Sequence, residues 1–317
     1  MTNQSLTIGI DVGKMFLDIH IHPVNQSFRC DNTKGGHKTL LAYLQEHQVP
    51  ENSVAVLEAS GGYERPVWIC LQSAGYTVHL VQPMRARNFI RARGILAKTD
   101  KIDAQALAWF GASGLTKGTT LPDKTQLGLR DLSRSLQNLR KHAGQIKEQI
   151  EKATHPITVK ALKALHRSCQ RQAEKLENVL QNMIEECPKL FNLTQLFCSM
   201  PGIGNYTAMI LVAELPEIGK CSKTEIAALS GLAPYTKQSG AWKGKSHIAG
   251  GRKQVRNALY MAALSAVRYN PPLKTFYNRL KDNGKTFKVS ITATMRKMIV
   301  ALNSMAKNNS AWETNHA

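Results

Sequence analysis

Two β-rich runs near the start of the chain, Leu6 to Val12 and Lys14 to His22, are joined through Val-Gly-Lys, and a connection that short permits only an antiparallel hairpin. Alternating apolar positions in the second run turn one face toward a core. A third run, Gln26 to Asp31, extends the meander. Helical spacing follows in Leu40, Leu41 and Leu44 of the stretch Thr33 to Gln48, then a strand from Val54 to Glu58 that Ala-Ser-Gly-Gly ends. A helix from about Tyr63 to Ser73 and a strand from Tyr76 to Val81 complete an α/β pattern.

Three antiparallel strands followed by βαβ units predict a ribonuclease-H-like core. In that layout Asp11 ends the first strand and Glu58 the fourth, at neighbouring carboxyl ends of a mixed sheet. The segment Lys98-Thr-Asp-Lys-Ile-Asp-Ala104 opens a further predicted helix with Asp100 and Asp103 on one face. Taken alone, that pair reads equally as a helix cap plus a solvated acid favoured by the helix dipole. Four acids so placed repel one another unless a cation lies between them, and oxygen-only ligands without His or Cys point to Mg²⁺ or Mn²⁺. Converging carboxylates of this kind hold two divalent ions about 3.5–4 Å apart for in-line phosphoryl transfer. Among them, Arg85, Arg87, Arg91 and Arg93 form a basic helix or loop, readable as a solvated face or as phosphate contacts.

Charge names the class of partner. Lys and Arg number 42 against 22 Asp and Glu, a net +20 with a pI near 9.8, which calls for a polyanion. Residues 1–122 carry +3, residues 123–186 carry +4 and residues 187–317 carry +13, so the last third holds most of that excess. Six scattered cysteines, without a C-x-x-C pair or zinc-finger histidines, suggest reduced core residues rather than disulfides or zinc. No leader pattern opens the chain and no apolar run approaches the roughly 18 residues of a membrane span, so a cytoplasmic protein without membrane contact is expected.

Residues 123–186 change character: aromatics thin out and Leu129, Leu132, Leu136, Leu139, Ile146 and Ile150 recur at helical spacing. Two long helices with a break at His155-Pro156 are expected, forming a hairpin or coiled coil that serves as a spacer or a dimer contact. Pro201-Gly-Ile-Gly204 then lies between apolar helices as in a helix-hairpin-helix, where Gly202 and Gly204 let backbone N–H groups approach a phosphate. A polar stretch from Gly231 to His247 reads as a loop with Lys243, Lys245, Ser239 and Ser246. Nothing local activates Ser239, which by itself reads as a solvated hydroxyl. Arg252, Lys253 and Arg256 follow on the first turns of a basic helix and are candidate nucleic-acid contacts, and helices from about Leu273 to Asp282 and Phe287 to Ala306 close the pattern.

With these residues in view the chain resembles the DEDD-type insertion-sequence transposases, the family that includes Piv-type DNA invertases and bridge-RNA-guided recombinases. The motifs run nearly end to end: I-G-I-D-V-G-K at Ile8 to Lys14, L-E-A-S-G at Leu57 to Gly61, K-T-D-K-I-D-A at Lys98 to Ala104, M-P-G-I-G at Met200 to Gly204, A-L-S-G-L-A-P at Ala228 to Pro234 and R-N-A-L-Y-M at Arg256 to Met261. The resemblance implies a RuvC-like domain at 1–122 whose tetrad matches Asp11, Glu58, Asp100 and Asp103, a helical linker at 123–186 and a transposase domain at 187–317. It implies that Ser239 is the nucleophile, that Mg²⁺ polarises the scissile phosphate, and that a phosphoserine link is resolved by a second DNA end. Donor and target DNA, a dimer or tetramer, and in guided members a structured noncoding RNA are the implied partners. Alignment is weakest from Trp242 to Gly250, which leaves Ser246 as a second candidate serine. The rival reading from the residues is a metal-dependent nuclease or junction resolvase in which the serine is incidental.

Overall fold

The computed structural model describes residues 6–94, 99–236, 238–239, 242–244 and 246–313, with backbone alone at 238–239 and 242–243. Lys98 of the K-T-D-K-I-D-A motif and Lys245 lie outside the described residues. The chain forms two compact units, Met1–Pro122 and Asp123–Ala317.

In the first unit, β1 (Thr7–Val12), β2 (Phe16–His22) and β3 (Gln26–Asp31) form the antiparallel meander, followed by α1 (Lys34–Glu46), β4 (Val54–Glu58), α2 (Arg65–Ser73), β5 (Thr77–Val81), α3 (Pro83–Ala92) and α4 (Asp100–Ala112). The sheet order is β3-β2-β1-β4-β5, with β4 parallel to both β1 and β5, so the ribonuclease-H-like arrangement holds. One sheet face buries Ile8, Ile10, Leu17, Ile19 and Ile21 against Leu40 and Leu44 of α1 and Val67 and Leu71 of α2. On the opposite face Val56 and Val81 meet Ala86 of α3 and Leu107 and Phe110 of α4.

Small residues let α4 lie directly on β1. A Cβ on Gly9 would stand 2.0 Å from the Ala104 carbonyl oxygen and 2.3 Å from the Ala108 nitrogen, and one on Gly111 would press on Thr7 and Val56. The Thr7 hydroxyl donates to the Ala108 carbonyl oxygen at 2.9 Å, pinning the same contact. Glycine inside a strand normally weakens it, and here the close helix is the reason for its presence. The N-terminus of α4 is set by Thr99, whose hydroxyl accepts from the Ile102 amide at 3.2 Å.

The second unit opens with the long pair α5 (Lys124–Lys152) and α6 (Pro156–Glu185), with Asp123 capping the first and Pro156 starting the second. Next come α7 (Pro188–Cys198), α8 (Asn205–Glu214), α9 (Lys223–Leu229), α10 (Lys253–Tyr269), α11 (Pro271–Asp282) and α12 (Phe287–Asn308). Helix α8 is apolar nearly all round because it is buried on every side: Leu211 and Leu215 join Leu259 and Leu302 in one core, and Met209 and Ile210 join Leu129 and Leu180 at the base of the long pair. Its terminal Glu214 is fully buried and accepts from the Ser133 hydroxyl at 3.2 Å and from Arg134 at 3.3 Å.

One segment differs from expectation. The stretch read as a loop carries four two-residue strands, β6 (Pro234–Tyr235), β7 (Gln238–Ser239), β8 (Trp242–Lys243) and β9 (His247–Ile248). β6 pairs with β9 and β7 with β8, both antiparallel, so the segment is a short two-tier finger. Strands of two residues are too short to show an alternating pattern, and the chain's return is enforced at its base instead. There a Cβ on Gly251 would fall 2.1 Å from the Gly231 nitrogen, and both glycines have positive φ, 62° and 68°.

Among the described residues no helix is long and apolar enough to cross a membrane. All six cysteines are free.

Candidate functional site

Hairpin register assembles a charged row across three strands. Asp11 of β1 stands opposite Asp18 of β2, and Asp18 stands opposite Arg29 of β3. Arg29 donates to both carboxylate oxygens of Asp18, Nε at 2.9 Å and Nη2 at 2.7 Å, and Nη2 also lies 3.5 Å from the Asp100 carboxylate. The β1 face carrying Asp11 is the one on which α4 packs, because Asp11 is in phase with Thr7 and Gly9. Asp100 and Asp103 begin that helix.

Electrostatics places these acids in one neighbourhood. The Asp11 carboxyl is pushed from its ordinary 3.8 up to about 6, first by burial, then by the charges of Asp103, Asp100, Glu58 and Asp18. The hydrogen bonds that Arg29 donates to Asp18, and after them the charges of Asp18, Asp100 and Asp11, raise its guanidinium pKa further above its already high range. Asp103, Asp100 and Glu58 thus act on Asp11 through their charges, and so does Asp18, which sequence reasoning passed over.

The loop after Glu58 is built by Glu64. That buried carboxylate accepts from the Ser60 amide at 3.1 Å, the Ser60 hydroxyl at 2.9 Å and the Gly62 amide at 2.8 Å. Burial pushes its pKa up, but these hydrogen bonds outweigh it and hold it below the usual range. Asn32 ties the neighbouring turns together, donating to the carbonyl oxygens of Gly13 at 2.9 Å and Tyr63 at 3.1 Å.

The donor set suits Mg²⁺ or Mn²⁺: carboxylates only, with Asp11 raised by neighbours that a hard cation would neutralise. As the side chains stand, no three His, Cys, Asp or Glu among the described residues converge closely enough to close a cage. Asp100 lies 3.5 Å from the Arg29 guanidinium.

The arginines of α3 and its C-cap divide into two pairs. Arg85 donates to the Leu115 carbonyl oxygen at 3.1 Å and lies over the Phe110 ring, and Arg93 lies 4.3 Å from the Trp109 ring centre. Arg87 and Arg91, one helical turn apart and exposed, make no ion pair among the described residues.

In the second unit Ser239 ends β7 opposite Trp242, and Lys243 pairs with Gln238. Their side chains lie outside the described residues. The Ser246 hydroxyl shares a hydrogen bond with that of Thr236 at 3.2 Å. Arg256 donates to the Gly250 carbonyl oxygen at 2.8 Å and the Gly231 carbonyl oxygen at 3.5 Å, clamping the two ends of the finger. Arg252 forms a two-pronged pair with Glu217, both contacts at 2.6 Å, and Lys253 is exposed at the start of α10. Gly202 has φ 106°, and a Cβ there would meet the Ala266 Cβ of α10 at 2.6 Å, so it packs closely on α10, whereas Gly204 is the exposed N-cap of α8.

Exposed positive charge gathers on α11 and α12. Residues 271–308 hold eight Lys and Arg against one acid, Asp282. The Phe276 ring lies between Arg279, at 5.5 Å, and Lys297, at 4.6 Å. Burial, then the charge of Arg279, holds the Lys297 pKa below its usual range. Lys281, Lys285 and Lys288 are exposed at the corner between the helices.

An acid-lined α/β unit joined to a basic helical unit is the make-up of an enzyme that handles a polyanion. Comparison with known proteins makes it specific. Residues 8–157 match the DEDD transposase model of the IS110 type, and residues 194–278 match the model described as the transposase IS116/IS110/IS902 family. The chain is 28% identical over 311 residues to the pilin gene-inverting protein of Moraxella bovis, covering 95% of this chain and 96% of that protein. It is 30% identical over 162 residues to an insertion element IS110 protein of 43.6 kDa from Streptomyces coelicolor, covering 50% of this chain and 38% of that one. Among solved structures the chain is similar to T. thermophilus RuvC in complex with a Holliday junction substrate, at 18% identity and a TM-score of 0.29, covering 36% of this chain and 99% of that one.

The chain belongs to the IS110-type DEDD transposase family, and is accordingly an enzyme of DNA recombination.

Proposed function

We propose that this chain cuts and rejoins DNA through a phosphoserine intermediate at Ser239, with Asp11, Glu58, Asp100 and Asp103 holding Mg²⁺ or Mn²⁺. Asp11 is the observation that carries the reading: a carboxyl pushed up to about 6 by burial and by the other three acids marks negative charge that wants a cation. When bound, the ions supply Lewis-acid stabilisation of the charge that builds on the phosphodiester.

The chain's own residues do the rest. The Ser239 oxygen bonds to phosphorus as one P–O ester bond of the DNA breaks; the released sugar oxygen takes up a proton, and the seryl proton passes to water. A hydroxyl of a second DNA end then attacks the same phosphorus and returns the serine. Acids and serine belong to different units, so the reading requires them to meet at one phosphate, within one chain or between copies of a dimer or tetramer. Functionally this divides the chain at 1–122, 123–186 and 187–317 into acid domain, helical linker and serine domain, acting in the cytoplasm on donor and target DNA. A structured guide RNA is a further partner to be sought beside the gene.

Exposed cations on α11 and α12, with Arg87 and Arg91, suit the phosphate backbone. Ser239→Ala is expected to retain DNA binding while losing every denaturant-resistant protein–DNA adduct, and excess EDTA should stop strand exchange by the unaltered protein. Cleavage surviving in Ser239→Ala would leave water, activated at the acids, as the nucleophile.

A further inference from the structure

The row Asp11–Asp18–Arg29 contains a cation that no motif predicts. Arg29 lies on the edge strand β3, its side chain 55% exposed, and its fork is already filled on one side by both oxygens of Asp18. The same Nη2 reaches Asp100 at 3.5 Å across from the sheet to α4. Among the described residues these are its two ion pairs. Phe16, half-exposed beside it on β2, puts its ring 5.8 Å from the guanidinium.

We propose that Arg29 is a built-in counter-ion, anchored by Asp18, that holds Asp100 in the metal-free protein and must release it before a divalent ion can take its place. The inference rests on the metal-binding reading of the acids. Three features support it. Asp100 and Asp103 enter on one rigid helix start, so one turn cannot serve a cage while one of its two acids is held by another cation. Asp18 gives Arg29 a place to remain once Asp100 leaves, because its two short contacts outrank the single long one to Asp100. The Phe16 ring, 5.8 Å from the guanidinium, gives Arg29 a further contact that keeps it in that place.

An exchange of this kind makes metal occupancy conditional, since the acids would not lose their neutralising charge when empty. Arg29 is thus a positioning residue, and its signature is in metal affinity rather than in folding. Mn²⁺ binding to the full-length protein without DNA, followed by the loss of the free-ion electron paramagnetic resonance signal, reads it directly. Arg29→Gln removes the competitor and should tighten Mn²⁺ binding about tenfold, whereas Arg29→Lys, a point charge without the fork, should fall between Gln and the unaltered protein. Asp11→Asn separates the two ideas. If it leaves Mn²⁺ binding unchanged, the metal reading itself is wrong. If it abolishes binding while Arg29→Gln binds no more tightly than the unaltered protein, the metal reading stands and the counter-ion proposal is overturned. Thermal unfolding in EDTA checks that each variant is folded.

Discussion

Asp11 carries a consequence that can be read without any DNA. Its folded pKa lies above its unfolded value, so the folded state holds the proton more tightly than the unfolded chain. The folded state is favoured where Asp11 is protonated, and that advantage is lost as pH rises from about 4 through about 6. Asp11→Asn should therefore raise the Tm of the metal-free protein at pH 8, with the gain fading toward pH 4; a Tm difference independent of pH would mean that Asp11 is not electrostatically burdened. Arg256 makes a different kind of residue-scale prediction. Its hydrogen bonds to the Gly231 and Gly250 carbonyl oxygens make it the clamp of the Ser239 finger. Arg256→Ala should cost about 1–2 kcal/mol of stability and speed amide exchange across 234–248, with covalent adduct formation falling while the helices stay protected.

At the scale of elements, the position of α4 decides whether the acids share a neighbourhood. A two-residue error in how that helix lies on β1 would carry Asp100 and Asp103 away from Asp11, and the contact is kept by Gly9, Ala104, Ala108 and Gly111. Gly9→Ala forces a new carbon to within 2.0 Å of a carbonyl oxygen. The helix must lift, at a cost of about 3 kcal/mol in urea unfolding, and Mn²⁺ binding should weaken with it. A variant that unfolds at the unaltered midpoint would show that α4 is not seated this tightly.

For the whole molecule, the excess of +13 in residues 187–317 is meaningful only once internal partners are subtracted. Arg252 is engaged by Glu217 and Arg256 by backbone, while the corner between α11 and α12 presents Lys281, Lys285 and Lys288 to solvent. Replacing those three lysines by alanine should weaken binding to a mixed-sequence DNA duplex and lower the slope of log K against log salt by about two to three. Replacing Arg252 and Arg256 should change stability more than slope. The reverse pattern would return the interface to the start of α10.

Much of this was legible in the residues, because local rules decide it. The three-residue connection after β1 imposes the hairpin, Thr99 ahead of two acids three apart sets a helix start, and Pro156 breaks the long pair. Once the hairpin is accepted, its register already pairs Asp11 with Asp18, a partner that a search for motifs passes over. The finger was not legible, since two-residue strands carry no period and their base is closed by Gly231, Gly251 and Arg256 from outside the pairing residues. By itself, then, the sequence determined the kinds of the longer elements, the presence of four acids in a basic chain and the family, all properties of neighbouring residues and composition. Which cations are free for a ligand, and that Arg29 stands among the acids, only the tertiary structure decided, because a charge is spent or available according to what distant segments bring within about 3–4 Å of it.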